Sequence, residues 1–144
     1  MARIKLQLPQ QFIFSTLIPV RITDINYGNH VGNDAILSLL HEARMQFLKK
    51  AGYTELEFGG VGLIMSDAAI EFKGEAFYGD VLKAYVAVDE FSKVGFEIYY
   101  KLVKGEQETV VVVAKTGIVC FDYSKRKVTA IPAGASERLQ KNNL

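Results

Sequence analysis

Residues 24–44 read D-I-N-Y-G-N-H-V-G-N-D-A-I-L-S-L-L-H-E-A-R, and the fold turns on them. The opening third is a tight polar loop in which Gly28 and Asn29 suit positive φ. Gly32, Asn33 or Asp34 stands where a helix N-cap is needed. Apolar residues at Ile36, Leu39, Leu40, Ala43 and Phe47 then follow the helical period, which predicts a helix to about Lys50. Leu37 and Leu48 widen that stripe beyond one face, so the N-terminal half is expected to be nearly enclosed. Ser38, Glu42 and Gln46 form one polar line, four residues apart. Gly52 is the expected left-handed cap at the far end.

Working outward, residues Phe12 to Ile25 read as a first strand, with Pro19 at an edge or bulge. After the helix the period changes to two. Leu63–Lys73, Asp80–Glu90, Val94–Val103 and Thr109–Tyr123 are predicted strands. The short links between them predict antiparallel hairpins. Gly59-Gly60-Val61-Gly62 lacks the Lys-Ser/Thr of a phosphate loop and reads as a flexible entry to the second strand. The tail after Pro132 is expected to form a short helix and then fray. The fold class is therefore α+β: one long central helix wrapped by a curved five-stranded antiparallel sheet. Residues 1–144 form a single domain, with no linker or internal repeat. One sheet over one helix leaves its outer face bare, and Val110–Val119 is apolar on both sides. A partner is expected to cover that face, in a homodimer or homotetramer.

Composition narrows the function. Hydrophobic content of 49% and charged content of 23% suit a soluble globular protein of 144 residues. A net charge of +1 gives no field for nucleic acid or an anionic membrane. Cys120 is the one cysteine, which excludes an intrachain disulfide or a zinc ribbon. It ends an apolar strand and reads as a small buried hydrophobe. A reducing, cytoplasmic location is expected. The N-terminal ten residues lack a signal peptide's apolar run, and no segment reaches the ~18 apolar residues of a spanning helix. His30 and His41 have no metal-binding spacing, so no metal is expected.

Three pieces of the chain resemble the hot-dog-fold acyl-CoA thioesterases of the 4-hydroxybenzoyl-CoA thioesterase type. Residues 20–33, V-R-I-T-D-I-N-Y-G-N-H-V-G-N, are similar to that family's V-R-x-x-D-x-D-x-x-G-H-V-N-N loop. Residues 40–48, L-H-E-A-R-M-Q-F-L, are similar to its E-A-R-x-x-F-L helix. Residues 77–82, F-Y-G-D-V-L, are similar to its Y-G-D-x-L strand start. The resemblance covers most of the chain. It implies hydrolysis of an acyl-CoA to free acid and coenzyme A, with coenzyme A entering as part of the substrate and no other cofactor. It also implies sites at a dimer interface. The sequence departs from the pattern at Asn26, which stands where the family commonly has its catalytic acid, and at Asn29, which replaces a glycine.

Thioester hydrolysis needs a carboxylate, donors for the carbonyl oxygen and a slot for the pantetheine arm and acyl group. The first amides of the helix, at Asn33, Asp34 and Ala35, lie at the positive end of its dipole. By resemblance, the Asn33 amide polarises the carbonyl. Glu42 is the favoured carboxylate, because burial on an apolar helix would raise its basicity; the plainer alternative is a partner for Arg44 or His41. Asp24 is the rival, two residues along an extended strand from Asn26, or else a cap for loop amides. Asn26 orients water or the carbonyl, or simply serves the turn. His30 positions Glu42 or a water, or ties down the loop. His41 reads as a helix-surface residue. Tyr27 lines the acyl slot or packs. Ser92 and Lys93 bind coenzyme A phosphates, as the Lys125-Arg126-Lys127 run also could, or belong to solvated turns.

Other readings stay open. They are an acyl-carrier-protein thioesterase, a hydratase (whose Asp-His motif is not found here), a hot-dog protein that binds acyl-CoA without hydrolysing it, and a cystatin-like sheet over a helix.

Overall fold

A computed structural model describes residues 2–141. The chain runs through β1 (Phe14–Pro19), a 3-10 turn (Ile22–Asp24), α1 (Asn33–Lys50), β2 (Gly62–Phe72), β3 (Val81–Asp89), β4 (Gly95–Lys104), β5 (Thr109–Asp122), β6 (Lys127–Val128) and α2 (Ala135–Leu139). The strands form one antiparallel sheet in the order β1-β3-β4-β5-β2, and β6 pairs with β5. The α+β arrangement expected from the sequence is present. The sheet has six strands rather than five, because the turn after Asp122 returns two residues to β5.

The first strand is shorter than its composition suggests. Pro19 ends it beside the start of β3, on an edge where its missing N–H costs nothing. Beyond it the Arg21 N–H donates to the Asp24 carboxylate at 2.8 Å, and the Asp24 N–H closes back on the Arg21 carbonyl at 2.9 Å. That local turn replaces the extended run expected through Ile25.

The helix lies on the inner face of the sheet. Leu39, Leu40, Ala43, Phe47 and Leu48 pack in one cluster with Leu82, Val86, Ile98, Leu102 and Ala114. Phe47 meets Phe14 of β1 at 5.7 Å between ring centroids. Each large side chain buried here is worth about 2 kcal/mol of transfer free energy. Leu37 does not join them: it is 42% exposed, because an 18-residue helix on one sheet turns one face to solvent.

The outer face is not bare either. Tyr85, Lys101, Val113 and Glu71 lie in one register row across β3, β4, β5 and β2. The N-terminal segment crosses this row. The Phe12 ring sits 5.8 Å from that of Tyr85 and beneath the Lys101 ammonium, and the Leu6 N–H donates to Glu71 at 2.7 Å. Ala87, Val103 and Val113 are buried but stand apart from the main core. The chain's own N-terminus thus covers the middle of this face. The expected fraying of the last three residues lies outside the described residues.

Candidate active site

The loop after the 3-10 turn is built from its own backbone. The Asn26 N–H donates to the His30 carbonyl at 2.9 Å, and the Asn29 N–H to the Asn26 carbonyl at 3.0 Å. Asn29 takes a left-handed φ of 67°, as expected of it; Gly28, expected to share it, does not. The Asn26 side chain accepts from the Gly28 N–H at 2.9 Å, so its carbonyl oxygen serves the turn. Nδ1 of His30 lies 3.0 Å from the Val31 carbonyl, which can only accept, so that nitrogen carries the proton and the ring ties down the loop. Tyr27 stands at the loop tip, fully exposed on the single chain.

Asp24 is 5% exposed, and its carboxylate takes the Arg21 N–H together with a longer contact to the Arg21 guanidinium at 3.5 Å. It lies in a 3-10 turn, so the expected same-side placement with Asn26 along a strand does not hold. The Asp24 carbonyl accepts from the Gly32 N–H at 3.1 Å, which aims the chain into α1. Gly32 is the N-cap, and it supplies no side-chain hydrogen bond. The first turn of α1 opens beside a cleft of about 330 Å³ lined by His30, Asn33, Ile36, Phe72 and Lys73. The helix dipole makes this end of the cleft a donor site.

Glu42 faces elsewhere. It lines a groove of about 320 Å³ between β1 and α1, with Leu17, Arg21, Ser38, His41 and Met45. The expectation of burial is corrected: Glu42 is exposed on the single chain, because it lies on the solvent side of the stripe formed by Leu39, Leu40 and Ala43. Nine residues at a helical rise of about 1.5 Å separate it from Asn33, roughly 13 Å along the axis. One chain therefore does not bring Glu42 and the Asn33 amide to the same carbonyl.

Ser92 and Lys93 lie in the β3–β4 hairpin, at the opposite end of β3 from the loop. The Ser92 hydroxyl accepts from the Gly95 N–H at 3.1 Å, and the cleft around it holds Asp67, Glu90 and Glu97. Lys125 and Arg126 lie in a surface turn, with the Lys125 N–H donating to Asp122 at 3.0 Å, and exposed Lys127 begins β6. Cys120 is buried, and desolvation pushes its thiol up to about 11.

A buried network behind the groove is not visible in the sequence. Arg44, 6% exposed, donates from Nε to Glu55 at 2.9 Å and from Nη1 to the Tyr100 hydroxyl at 3.1 Å. Tyr100 meets the Thr116 hydroxyl at 2.7 Å, and the other Glu55 oxygen lies 2.6 Å from Nε2 of His41. Burial would raise the Glu55 carboxyl, but hydrogen bonds and charge from His41 and Arg44 outweigh it and hold the group below its ordinary value. Burial likewise opposes the Arg44 charge, and Tyr100 and Glu55 override it. Glu55, Tyr100 and Lys73 carried no spacing signal, since their partners are remote in sequence or depend on the cleft walls.

The model of the thioesterase-like superfamily matches residues 20–139. A putative esterase from Aquifex aeolicus is 28% identical over 131 residues, covering 90% of this chain and 98% of that protein. The structure resembles a 1,4-dihydroxy-2-naphthoyl-CoA thioesterase from Synechocystis, with a TM-score of 0.80 at 22% identity over 88% of this chain and 94% of that one. It also resembles a DHNA-CoA thioesterase from Staphylococcus aureus, with a TM-score of 0.73 at 18% identity over 81% of this chain and 78% of that one. At these identities the two structures speak for the fold, which is the hot-dog fold.

Proposed function

The chain belongs to the thioesterase-like superfamily and is a thioester hydrolase by family, and on that premise we propose that it hydrolyses an acyl-CoA to the free acid and coenzyme A. The observation that carries this is the start of α1, which has no side-chain cap and opens beside a cleft lined by Asn33 and His30. The Asn33 amide donates to the thioester carbonyl and holds the charge that develops on its oxygen. Lys73 lines the same cleft and offers a cation to the coenzyme A phosphates. The related proteins that act on aromatic acyl-CoA substrates support the same class here.

Glu42 supplies the carboxylate, as base or nucleophile, and it comes from a second copy of the chain. Its distance from Asn33 within one chain supports this. Exposed Leu37 on α1, with Met65 and Phe72 on the edge strand β2, leaves apolar surface for that copy to cover. Asp24 serves less well, because its carboxylate already caps the 3-10 turn.

The test is thiol release from a panel of acyl-CoAs by the wild type, Glu42→Gln, Asp24→Asn and Asn26→Ala. We expect turnover by the wild type, a loss of about 100-fold or more in Glu42→Gln, and retained turnover in Asp24→Asn. Full activity in Glu42→Gln removes Glu42 from the mechanism. Acyl-CoA bound by the wild type without turnover favours the binding protein, the reading that the commitment of Asn26 to its turn supports.

A further inference from the structure

Phe14, Thr16 and Ile18 alternate along β1, and the two apolar members are buried toward α1. Thr16 is the polar residue in that inward series. Its hydroxyl donates to Oε1 of Gln46 at 2.5 Å. Gln46, one turn beyond Glu42 on α1, donates from Nε2 to Oε2 of Glu42 at 2.7 Å.

The two bonds depend on each other. A side-chain amide has one acceptor end and one donor end. With the Thr16 hydroxyl on its oxygen, Gln46 must turn its N–H toward Glu42. The reverse orientation would set a carbonyl oxygen against a carboxylate. Thr16 is itself fixed by its pairing with Ala84 on β3. A Gln–Glu pair on an open helix surface is a weak link, but here it is anchored to the sheet. Oε2 of Glu42 is engaged by Gln46, and Glu42 lines the groove together with Leu17, Arg21 and Met45.

We propose that Thr16 and Gln46 are positioning residues for Glu42, a relay from the edge strand that holds its carboxylate ready for the thioester carbon or for water. This rests on the role given to Glu42 above. Gln46 itself lines that groove but Thr16 does not, so loss of the Thr16 hydroxyl should fall on kcat and not on KM.

The experiment measures kcat and KM for thiol release from the acyl-CoA that the wild type turns over fastest. The variants are Glu42→Gln, Gln46→Leu, Thr16→Val and Thr16→Ser. We expect kcat to fall about tenfold in Gln46→Leu and Thr16→Val, with KM unchanged in Thr16→Val, and to recover in Thr16→Ser, which restores the hydroxyl. Thr16→Val keeps the β-branched shape of the strand residue. Unchanged kcat in Gln46→Leu and Thr16→Val overturns the relay; loss of activity in Glu42→Gln in the same assay leaves the role of Glu42 standing. Thr16→Ser as impaired as Thr16→Val also overturns the relay, since the hydroxyl would then not be the active part. Full activity in Glu42→Gln, or no turnover by the wild type, overturns the underlying mechanism and the relay with it.

Discussion

Arg44 on α1 and Tyr100 on β4 meet inside the core, where the guanidinium donates to the phenol oxygen at 3.1 Å. A buried cation is costly unless its donors are used. Glu55 and Tyr100 use them, and Thr116 engages the phenol from the neighbouring strand β5. The helix is thereby bolted to the sheet at one angle. Through Glu55 the network reaches His41, which lines the groove beside Glu42. The groove wall at His41 is thus tied to the core through Glu55 and Arg44.

The partners of Arg44 are unequal. Glu55→Ala leaves the buried guanidinium without its counter-charge, and we expect a loss of about 3 kcal/mol. Tyr100→Phe removes one neutral partner and should cost about 1–2 kcal/mol. Urea unfolding of both variants checks the order; equal losses would mean that the ion pair is not what holds Arg44.

Acid should weaken the same network. The Glu55 carboxyl is held below the ordinary value of 4.5, since the hydrogen bonds from His41 and Arg44 outweigh burial. Its stabilising contribution is therefore complete above the unfolded value near pH 4.5 and is lost as pH falls through the lower folded value. Stability of the wild type should drop on acidification below that point more steeply than that of Glu55→Gln. Parallel curves for the two proteins, followed by denaturant titration at stepped pH, would assign the acid loss elsewhere.

Gly95 begins β4 directly against β5. A Cβ there would sit 2.2 Å from the Ile118 carbonyl oxygen, which is backbone and cannot step aside. Gly95→Ala should cost about 1–3 kcal/mol by forcing the two strands apart. Thermal unfolding beside the wild type measures it.

Sequence reasoning reaches the scaffold better than the site. The four strands after the helix fall within a residue or so of their predicted bounds, because short polar links and a period of two mark both ends of each. The helix is equally clear. The first strand is overextended, because Asp24 folds back on Arg21 through a side-chain bond that β-rich composition does not report. Glu42 is misjudged as buried, because an apolar stripe says which face packs and not how far the packing reaches around. The N-terminal segment gives no sign of its path, as Leu6 finds Glu71 sixty-five residues away. Arg44, Glu55, Tyr100 and Thr116 are joined only by the fold.

The Asn33 amide can be deleted without deleting the helix. Asn33 is the first helical residue, a position that tolerates proline. Gly32 before it has φ −71° and ψ 149°, the extended conformation a residue preceding proline prefers. Asn33→Pro should fold and melt like the wild type yet lose about 100-fold in kcat. Undiminished turnover would move the donor to another amide.

In the proposed site one copy of the chain supplies Asn33 and another supplies Glu42 to a shared thioester. A hybrid of Glu42→Gln and Asn33→Pro chains, co-expressed with two different tags and purified through both, tests it through thiol release from the preferred acyl-CoA. Each single variant should be nearly inactive. The hybrid pairs the intact Asn33 amide of one chain with the intact Glu42 of the other, so one of its two sites is whole, and it should recover about half of wild-type turnover. A hybrid no more active than either parent variant would contradict a site shared between two chains.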